Sequence, residues 1–203
     1  MYFPPFYAYA CAVLGGYLLG SAPWGLILGR VFGLGDLRKI GSGNIGATNM
    51  WRAGRKDLAI ATFLLDSSKA GLALLLASWL FGRNFGLAAG FAALLGHCFP
   101  IWLRFKGGKG VSSFFGILLA GLPLIGLGAG LVWLMMAFTF RFSSLSALAA
   151  AALAPIFALA LHHSQLDIAY CAGMGLLIFW LHRANIARLI QGKEPKIGGP
   201  KTA

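Results

Sequence analysis

Long apolar runs separated by short polar segments make up most of this sequence of 203 residues. The runs occupy about 6–29, 58–81, 85–103, 111–140, 145–161 and 168–182. A helix needs roughly 20 apolar residues, within a range of about 17–25, to cross a bilayer. The pattern therefore predicts membrane-spanning helices. The composition agrees, because 59% of the residues are hydrophobic and only 11% are charged, against about 25% in a typical soluble domain.

The run at 111–140 is too long for one crossing, and Gly121-Leu122-Pro123 interrupts it. We divide it into a short helix at about 111–121 and a second helix at about 124–140. At a rise of about 1.5 Å per residue, the short helix is not long enough to cross the bilayer. We therefore expect it to be packed inside the bundle rather than to face lipid. The prediction is an all-α integral membrane protein with seven transmembrane helices, forming a single domain over 1–203.

The distribution of charge favours seven crossings over six. Seven crossings place 15 of the 17 lysine and arginine residues on one face, whereas six would put the cations of the C-terminal tail on the opposite face. The positive-inside rule makes the basic face cytoplasmic, with the N-terminus external and the C-terminus cytoplasmic. The same rule, together with attraction to anionic lipid headgroups, accounts for the net charge of +12.

The first polar segment of chemical interest covers 41–52. It combines hydroxyl, amide and guanidinium groups, which suit hydrogen bonding to a phosphate. The residues concerned are Ser42, Asn44, Thr48, Asn49 and Arg52. The alternative interpretation is the capped start of a short helix, with Thr48 or Asn49 as the N-cap.

The second segment, 104–110, reads Arg-Phe-Lys-Gly-Gly-Lys-Gly. Its glycines allow backbone N–H groups to approach a phosphate, Lys106 and Lys109 add charge, and the helix that follows contributes its dipole. It is not a Walker A loop, because Gly110 follows Lys109 and no strand precedes it. His97, just upstream, is interpreted as a structural hydrogen-bonding residue.

The third segment is the C-terminal tail. His182 and Asn185 are three residues apart, so they would share one face at the cytoplasmic end of the last helix. The turn that contains Ser144 adds hydroxyl groups on the same predicted side.

Polar and reactive residues inside the apolar runs are few. Asp66 lies three residues before Lys69, which predicts a paired intramembrane charge. The three cysteines, Cys11, Cys98 and Cys171, are interpreted as small buried hydrophobic residues.

The three segments together closely resemble the motifs of the bacterial acyl-phosphate-dependent glycerol-3-phosphate acyltransferases. The matching stretches are SGNIGATN with Arg52, GHCFPIWLRFKGGKGV, and HRANI with QGKEPKI, in that order over 42–197. The resemblance implies a seven-helix inner-membrane enzyme that uses neither acyl-CoA nor acyl-carrier protein. It implies acyl transfer from acyl phosphate to the sn-1 hydroxyl of glycerol 3-phosphate, giving lysophosphatidic acid and phosphate, as the first acylation step of phospholipid biosynthesis.

The resemblance also implies roles for individual residues. The positions that match the family's active residues are Ser42, Asn44, Arg52, Lys109, His182 and Asn185. The positions expected to bind substrate phosphates are Gly43, Thr48, Asn49, Lys106, Gly107, Gly108, Gly110 and Ser144. Glu194 is interpreted as structural. The proton of the attacking hydroxyl goes either to His182 or to the phosphate of the acyl donor.

Several expectations complete this interpretation. The partners are the two substrates and membrane lipids, with no nucleic acid, no metal and no organic cofactor, and we expect a monomer. A His-x4-Asp pair, His162 and Asp167, is typical of other glycerolipid acyltransferases, but with the adjacent His163 it is interpreted as polar loop residues on the opposite face. The competing hypothesis is a small transporter for an anionic solute, which the lack of an internal repeat and the one-sided basic loops disfavour. A second competing hypothesis is a lipid enzyme of the CDP-alcohol type, which would need clustered aspartates to hold metal ions, and the sequence contains no such cluster.

Overall fold

The computed structural model describes residues 5–39 and 43–198, and all regular structure in these ranges is helical. The helices are α1 (Pro5–Gly20), α2 (Trp24–Val31), α3 (Ala47–Arg52), α4 (Lys56–Phe81), α5 (Arg83–Cys98), α6 (Val111–Gly121), α7 (Pro123–Phe140), α8 (Ser143–Ala160), α9 (Gln165–Leu181) and α10 (Arg183–Ile190). Short 3₁₀ turns form at Leu37–Lys39 and Ile101–Leu103. The predicted all-α class is confirmed.

Every predicted apolar segment contains a helix, but not every helix is long enough to span a bilayer by itself. Within residues 5–39 and 43–198, five stretches qualify by length and apolarity: Pro5–Val31, Lys56–Phe81, Arg83–Leu103, Pro123–Phe140 and Ser143–Ala160. A sixth is added if α9 and α10, which are bent by 63° relative to each other, form one broken span. The count of seven crossings stays a prediction.

Packing groups the described residues into two compact units, which divide between Gly121 and Leu122. In the first unit, α5 packs against α1 and α4, and α4 also packs against α6, α3 and α2. The contact between α1 and α5 is close because Gly16 of α1 lies against the backbone of Ala89, where a Cβ atom would overlap it. Glycine at this position therefore lets the two helices approach each other.

The short helix α6 begins and ends where the interruption at Gly121-Leu122-Pro123 predicts. Seven consecutive residues, 112–118, are buried, and α6 packs against α4 and α5. Gly116 lies against the backbone of Ser67 on α4. Within the first unit, this confirms the expectation that the short helix packs among other helices rather than facing outward.

The second unit is organised around α8, which packs against both α7 and α9. Its contact face is built from small side chains: Ala147, Ala150, Ala151, Ala154 and Ala158 are all buried. The backbone of Ala151 approaches Gly175 of α9 closely. The short helix α10 follows α9 and contacts α8 and α9.

The outward faces of both units carry large apolar side chains. Trp79 and Phe138 are each 82% exposed, and Leu176 is 73% exposed. Such exposure is typical of side chains that face lipid. Cys98 and Cys171 are buried as expected, whereas Cys11 is exposed, so the interpretation of that cysteine as buried is wrong.

Candidate active site

The first polar segment forms a short helix held against the core of the first unit. Ser42 lies outside the described residues. The predicted short helix is confirmed as α3, but its N-cap is Gly46, and neither Thr48 nor Asn49 has that role. Asn49 is instead buried, and its Nδ2 atom donates to the Leu37 carbonyl at 2.9 Å, which fixes α3 against the preceding 3₁₀ turn.

Other candidate residues of this segment lie at or near its surface. Gly43 is exposed with a left-handed φ of 69°, and Asn44, Thr48 and Arg52 are half-buried. The Asn44 Oδ1 atom accepts a hydrogen bond from the following backbone N–H at 3.1 Å. The segment packs on a cluster of buried apolar side chains: Leu26, Leu37, Ile45, Met50 and Leu58. This arrangement gives the polar side chains a rigid base.

The second segment folds back onto the end of α5. The Gly107 N–H donates to the Cys98 carbonyl and the Gly108 N–H donates to the His97 carbonyl, each at 3.0 Å. These bonds satisfy two carbonyls that the end of a helix would otherwise leave without partners. A Cβ atom on Gly107 would overlap the His97 carbonyl, and one on Gly108 would overlap the His97 ring. Both glycines therefore permit close packing, and their N–H groups are engaged within the protein.

The remainder of this segment is fixed against α1 and precedes α6 directly. The Tyr17 hydroxyl donates to the Phe99 carbonyl at 2.7 Å, and Trp102 Nε1 donates to the Ser21 carbonyl at 2.8 Å. Lys106 is exposed and Lys109 is half-buried, and Gly110, with φ of 82°, leads into the first turn of α6. A cationic surface thus precedes a helix N-terminus.

The predicted pairing of Asp66 with Lys69 is confirmed. The Lys69 Nζ atom lies 2.6 Å from Asp66 Oδ1, and it also donates to the Ala22 carbonyl at 2.6 Å. His97 extends this pair, because its Nδ1 atom lies 3.6 Å from the same carboxylate oxygen. The sequence carries no signal for this third member, since His97 reaches Asp66 only through the packing of α5 against α4.

The tail motif in the second unit is organised by Glu194. Its Oε1 atom accepts from Ser144 Oγ at 2.8 Å and from Asn185 Nδ2 at 2.6 Å, and its Oε2 atom accepts from Arg188 Nε at 2.7 Å. Burial by itself would raise the Glu194 pKa, but these three hydrogen bonds outweigh it, so the pKa is lowered from 4.5. Glu194 is thus a carboxylate at neutral pH that draws together two candidate site residues.

His182 lies between α9 and α10 and is buried. Its Nδ1 atom is 2.8 Å from the Ile178 carbonyl. A carbonyl can only accept, so Nδ1 carries the proton, and the neutral ring has its lone pair on Nε2. His182 is therefore in the tautomer that can accept a proton or a hydrogen bond at Nε2.

Comparison with known proteins decides the family. The family model described as "Glycerol-3-phosphate acyltransferase" matches residues 10–192. The chain belongs to the glycerol-3-phosphate acyltransferase family. Membership makes this chain an acyltransferase, and the hypothesis of a transporter is set aside.

Members of the glycerol-3-phosphate acyltransferase family from several bacteria resemble this chain along most of its length. A relative from Maricaulis maris is 56% identical over 192 residues, which cover 94% of this chain and 88% of the relative. A relative from Hyphomonas neptunium is 50% identical over 200 residues, which cover 98% and 97% of the two chains. Both are named glycerol-3-phosphate acyltransferase.

Solved structures of the family resemble the fold as well. A crystal structure of PlsY (YgiH), an integral membrane glycerol 3-phosphate acyltransferase in its glycerol 3-phosphate form, is 36% identical, with a TM-score of 0.88. It covers 93% of this chain, which in turn covers 94% of that one. The lysophosphatidic acid form is 35% identical, with a TM-score of 0.86. This acyltransferase is accordingly an integral membrane protein.

The His-x4-Asp spacing in this acyltransferase has a structural explanation. Ser164 is the N-cap of α9, and its Oγ atom accepts from the Asp167 N–H at 3.2 Å. The same hydroxyl donates to Asp167 Oδ2 at 2.8 Å, and His163 Nδ1 lies 3.4 Å from that oxygen. Asp167 is therefore a buried residue in the first turn of α9 rather than a loop residue, whereas His162 is exposed in the preceding turn.

Proposed function

We propose that this acyltransferase moves a fatty acyl group from acyl phosphate to the sn-1 hydroxyl of glycerol 3-phosphate. The products are lysophosphatidic acid and inorganic phosphate, and the reaction is the first acylation step of phospholipid biosynthesis. The observation that carries the acceptor is the likeness to the glycerol 3-phosphate form of PlsY over 93% of the chain. Acyl phosphate as the donor rests on the three motifs in 42–197 and their resemblance to the acyl-phosphate-dependent enzymes.

The proposed location is the bacterial inner membrane, with seven crossings and the active site on the cytoplasmic face. The support is the distribution of charge, since the seven-crossing arrangement collects nearly all lysine and arginine residues on one side. In this proposal the chain is one domain that acts as a monomer, and it uses no metal or organic cofactor.

The chemistry requires few groups beyond charge and position. Acyl phosphate is a mixed anhydride, so the hydroxyl oxygen of the acceptor attacks the carbonyl carbon, the bond from that carbon to the phosphate oxygen breaks, and phosphate leaves. The hydroxyl proton passes to the leaving phosphate or to His182. Positioning and electrostatic stabilisation can each supply several kcal/mol to such a reaction, on the order of 3 or more.

The proposed roles follow the motif match. Arg52 and Lys109 bind the substrate phosphates, assisted by Lys106 and by loop N–H groups other than those of Gly107 and Gly108. Ser42 and Asn44 orient the donor. His182 and Asn185 contact substrate, and His182 can do so through Nε2. Because Gly107 and Gly108 already donate their N–H groups within the protein, the cations of that segment carry most of its attraction for phosphate.

The test is acyl transfer by the purified protein in detergent or lipidic phase. Palmitoyl phosphate and palmitoyl-CoA are offered in parallel with radiolabelled glycerol 3-phosphate. We expect labelled lysolipid from palmitoyl phosphate alone, and its loss in Ser42→Ala and Lys109→Ala. Lys56→Ala is the matched control, because Lys56 is an exposed lysine of the same unit outside the motifs. A folded protein that makes no lysolipid from either donor would contradict the proposal.

A further inference from the structure

The first unit contains a buried charged cluster that the proposed chemistry does not use. Asp66, Lys69 and His97 are only 2%, 4% and 5% exposed. Buried ions are costly to desolvate and persist where partners and hydrogen bonds compensate that cost. Lys69 has such partners in Asp66 and in the Ala22 carbonyl, so the pair joins α4 to the break between α1 and α2.

His97 connects this pair to the basic loop at 104–110. One edge of its ring faces the pair, with Nδ1 3.6 Å from Asp66 Oδ1. The other edge, at Nε2, occupies the space into which a Cβ atom on Gly108 would project. The His97 carbonyl also accepts the Gly108 N–H at 3.0 Å. A single residue therefore supports Gly108 through both its ring and its backbone.

Asp66 also reaches the other end of the loop. Its main-chain carbonyl accepts a hydrogen bond from Ser113 Oγ, in the first turn of α6, at 3.2 Å. The segment between His97 and Ser113, which contains Lys106 and Lys109, thus meets one aspartate on α4 at both ends. The contact is a hydrogen bond at Ser113 and an approach of 3.6 Å at His97. A rotation of the His97 ring would move Gly108 and the lysines on either side of it.

We propose that His97, oriented by the buried Asp66–Lys69 pair, is a positioning residue that sets the affinity of the 104–110 loop for a substrate phosphate. This inference rests on the proposed function, because it concerns the phosphate affinity of the same loop. The attraction between point charges depends on the distance between them, so a displaced loop should bind the substrate phosphate more weakly. The loop therefore needs a rigid base, and the buried cluster supplies it.

The test is steady-state kinetics of Asp66→Asn and His97→Phe with both substrates. Asn keeps the shape of Asp66 but not its charge, and Phe keeps a ring beneath Gly108 without the polar edge that faces Asp66. We expect the KM for the substrate whose phosphate the loop binds to rise between about 10- and 100-fold, as for the weakening of one charge-assisted hydrogen bond, with kcat changed by less than about threefold. Separate titrations of glycerol 3-phosphate and palmitoyl phosphate identify that substrate.

The chain offers a matched control in Asp167 and His163. Asp167 is also a buried aspartate, and His163 Nδ1 lies 3.4 Å from its carboxylate, but this pair belongs to the N-terminus of α9. Asp167→Asn and His163→Phe should leave both KM values unchanged. Thermal unfolding of all four variants, followed in detergent, separates loss of stability from loss of phosphate affinity.

A second measurement covers the case in which Asp66→Asn does not fold. Gly108→Ala places a methyl group against the His97 ring, and His97→Ala removes that ring. We expect the rise in KM in the double variant to be smaller than the product of the two single effects by at least about threefold. A double-variant effect smaller than this product requires direct contact between the two residues. The effects of two independent structural defects would instead multiply.

The outcomes are distinct. Wild-type KM values in folded Asp66→Asn and His97→Phe, a loss confined to kcat, or multiplicative effects in the Gly108–His97 cycle would each overturn the positioning role. If the wild-type protein transfers no acyl group at all, the proposed function fails. If the wild-type enzyme is active and its His97 variants keep normal KM values, only the positioning role fails.

Discussion

At the scale of single residues, the partners of the five acidic side chains limit which groups can act as the general base. Asp36 pairs with Arg38, Asp57 with Arg55 and Asp66 with Lys69, each at 2.6 Å. The remaining two, Asp167 and Glu194, accept hydrogen bonds from neighbouring side chains. The hydrogen bond from Arg38 lowers the pKa of Asp36 to about 2, which makes it a poor base at neutral pH. His182 and the phosphate of the donor are the candidates that the chemistry leaves.

His182→Ala distinguishes these two candidates. We expect kcat to fall by less than about 100-fold, because the phosphate beside the reacting carbonyl can accept the proton. The measurement is kcat with saturating palmitoyl phosphate and glycerol 3-phosphate, compared with Arg183→Ala as the control for an exposed neighbour. A loss between about 100- and 10,000-fold would instead identify His182 as the base.

Glu194→Gln tests the network in the tail. The substitution keeps the shape of the side chain but removes the charge of the carboxylate to which Asn185, Ser144 and Arg188 donate hydrogen bonds. We expect it to lower the free energy of unfolding at pH 7 by about 1–3 kcal/mol. Because the folded-state pKa of Glu194 lies below 4.5, its contribution is complete above pH 4.5 and is lost as the pH falls through the folded-state value.

The measurement for this prediction is thermal unfolding in detergent at a series of pH values. The difference between wild type and Glu194→Gln should therefore shrink below pH 4.5. Asp36→Asn is the control, since Asp36 belongs to an exposed ion pair and its loss should leave unfolding at pH 7 unchanged. An equal difference at all pH values would show that the charge of Glu194 does not stabilise the tail.

At the scale of helices, close contact between backbones adds to the packing of buried apolar side chains such as Phe114 and Ile117. Small residues are common at helix interfaces in membranes because they let backbones approach each other. In this protein Gly16 lies against Ala89, Gly116 lies against Ser67, and Gly175 lies against Ala151. Other large side chains point outward, as Trp79 and Phe138 do.

Two adjacent glycines of α1 allow a matched test of this interpretation. Gly16→Ala places a Cβ atom in the backbone of Ala89 and should destabilise the protein by about 1–3 kcal/mol. Gly15→Ala meets no atom within 4 Å and should instead stabilise α1 by up to about 1 kcal/mol through helix propensity. Thermal unfolding in detergent measures both variants. Equal effects at the two positions would show that the α1–α5 contact does not need glycine.

At the scale of the whole molecule, charge and apolar length are the basis of the proposed orientation in the membrane. The chain has a net charge of +12 and only five acidic residues. Among the described residues, the cations other than Lys69 lie in the polar segments or near the ends of helices, and Lys69 is paired with Asp66. In the proposed seven-crossing arrangement, the positive-inside rule therefore favours the same orientation at nearly every basic loop.

Accessibility of single cysteines tests the proposed orientation. In a Cys11→Ser background, Asn84→Cys and His162→Cys should react with a membrane-impermeant thiol reagent in cells with permeabilised outer membranes. Arg30→Cys and Lys193→Cys should react only after the inner membrane is disrupted. All four positions are exposed, so burial does not limit the reaction. Labelling of Lys193→Cys in intact inner membranes would indicate six crossings instead of seven.

Much of this protein is determined by local sequence. Apolar runs fix the helices, and the Gly121-Leu122-Pro123 interruption fixes the end of α6, because glycine and proline act on the backbone where they stand. Asp66 and Lys69 meet because residues three apart share a helix face. The three motifs identify the family for the same reason, since each is a short contiguous stretch of chain.

The contacts that organise the candidate site were decided by tertiary structure alone. His97 reaches Asp66 through the packing of α5 against α4, and Ser144 meets Glu194 through the return of the tail to α8, 50 positions along the chain. The sequence suggested that Gly107 and Gly108 offer their N–H groups to phosphate, whereas the folded chain uses them on the carbonyls that end α5. Long-range packing determines which neighbour each polar group meets, and no local pattern encodes that choice.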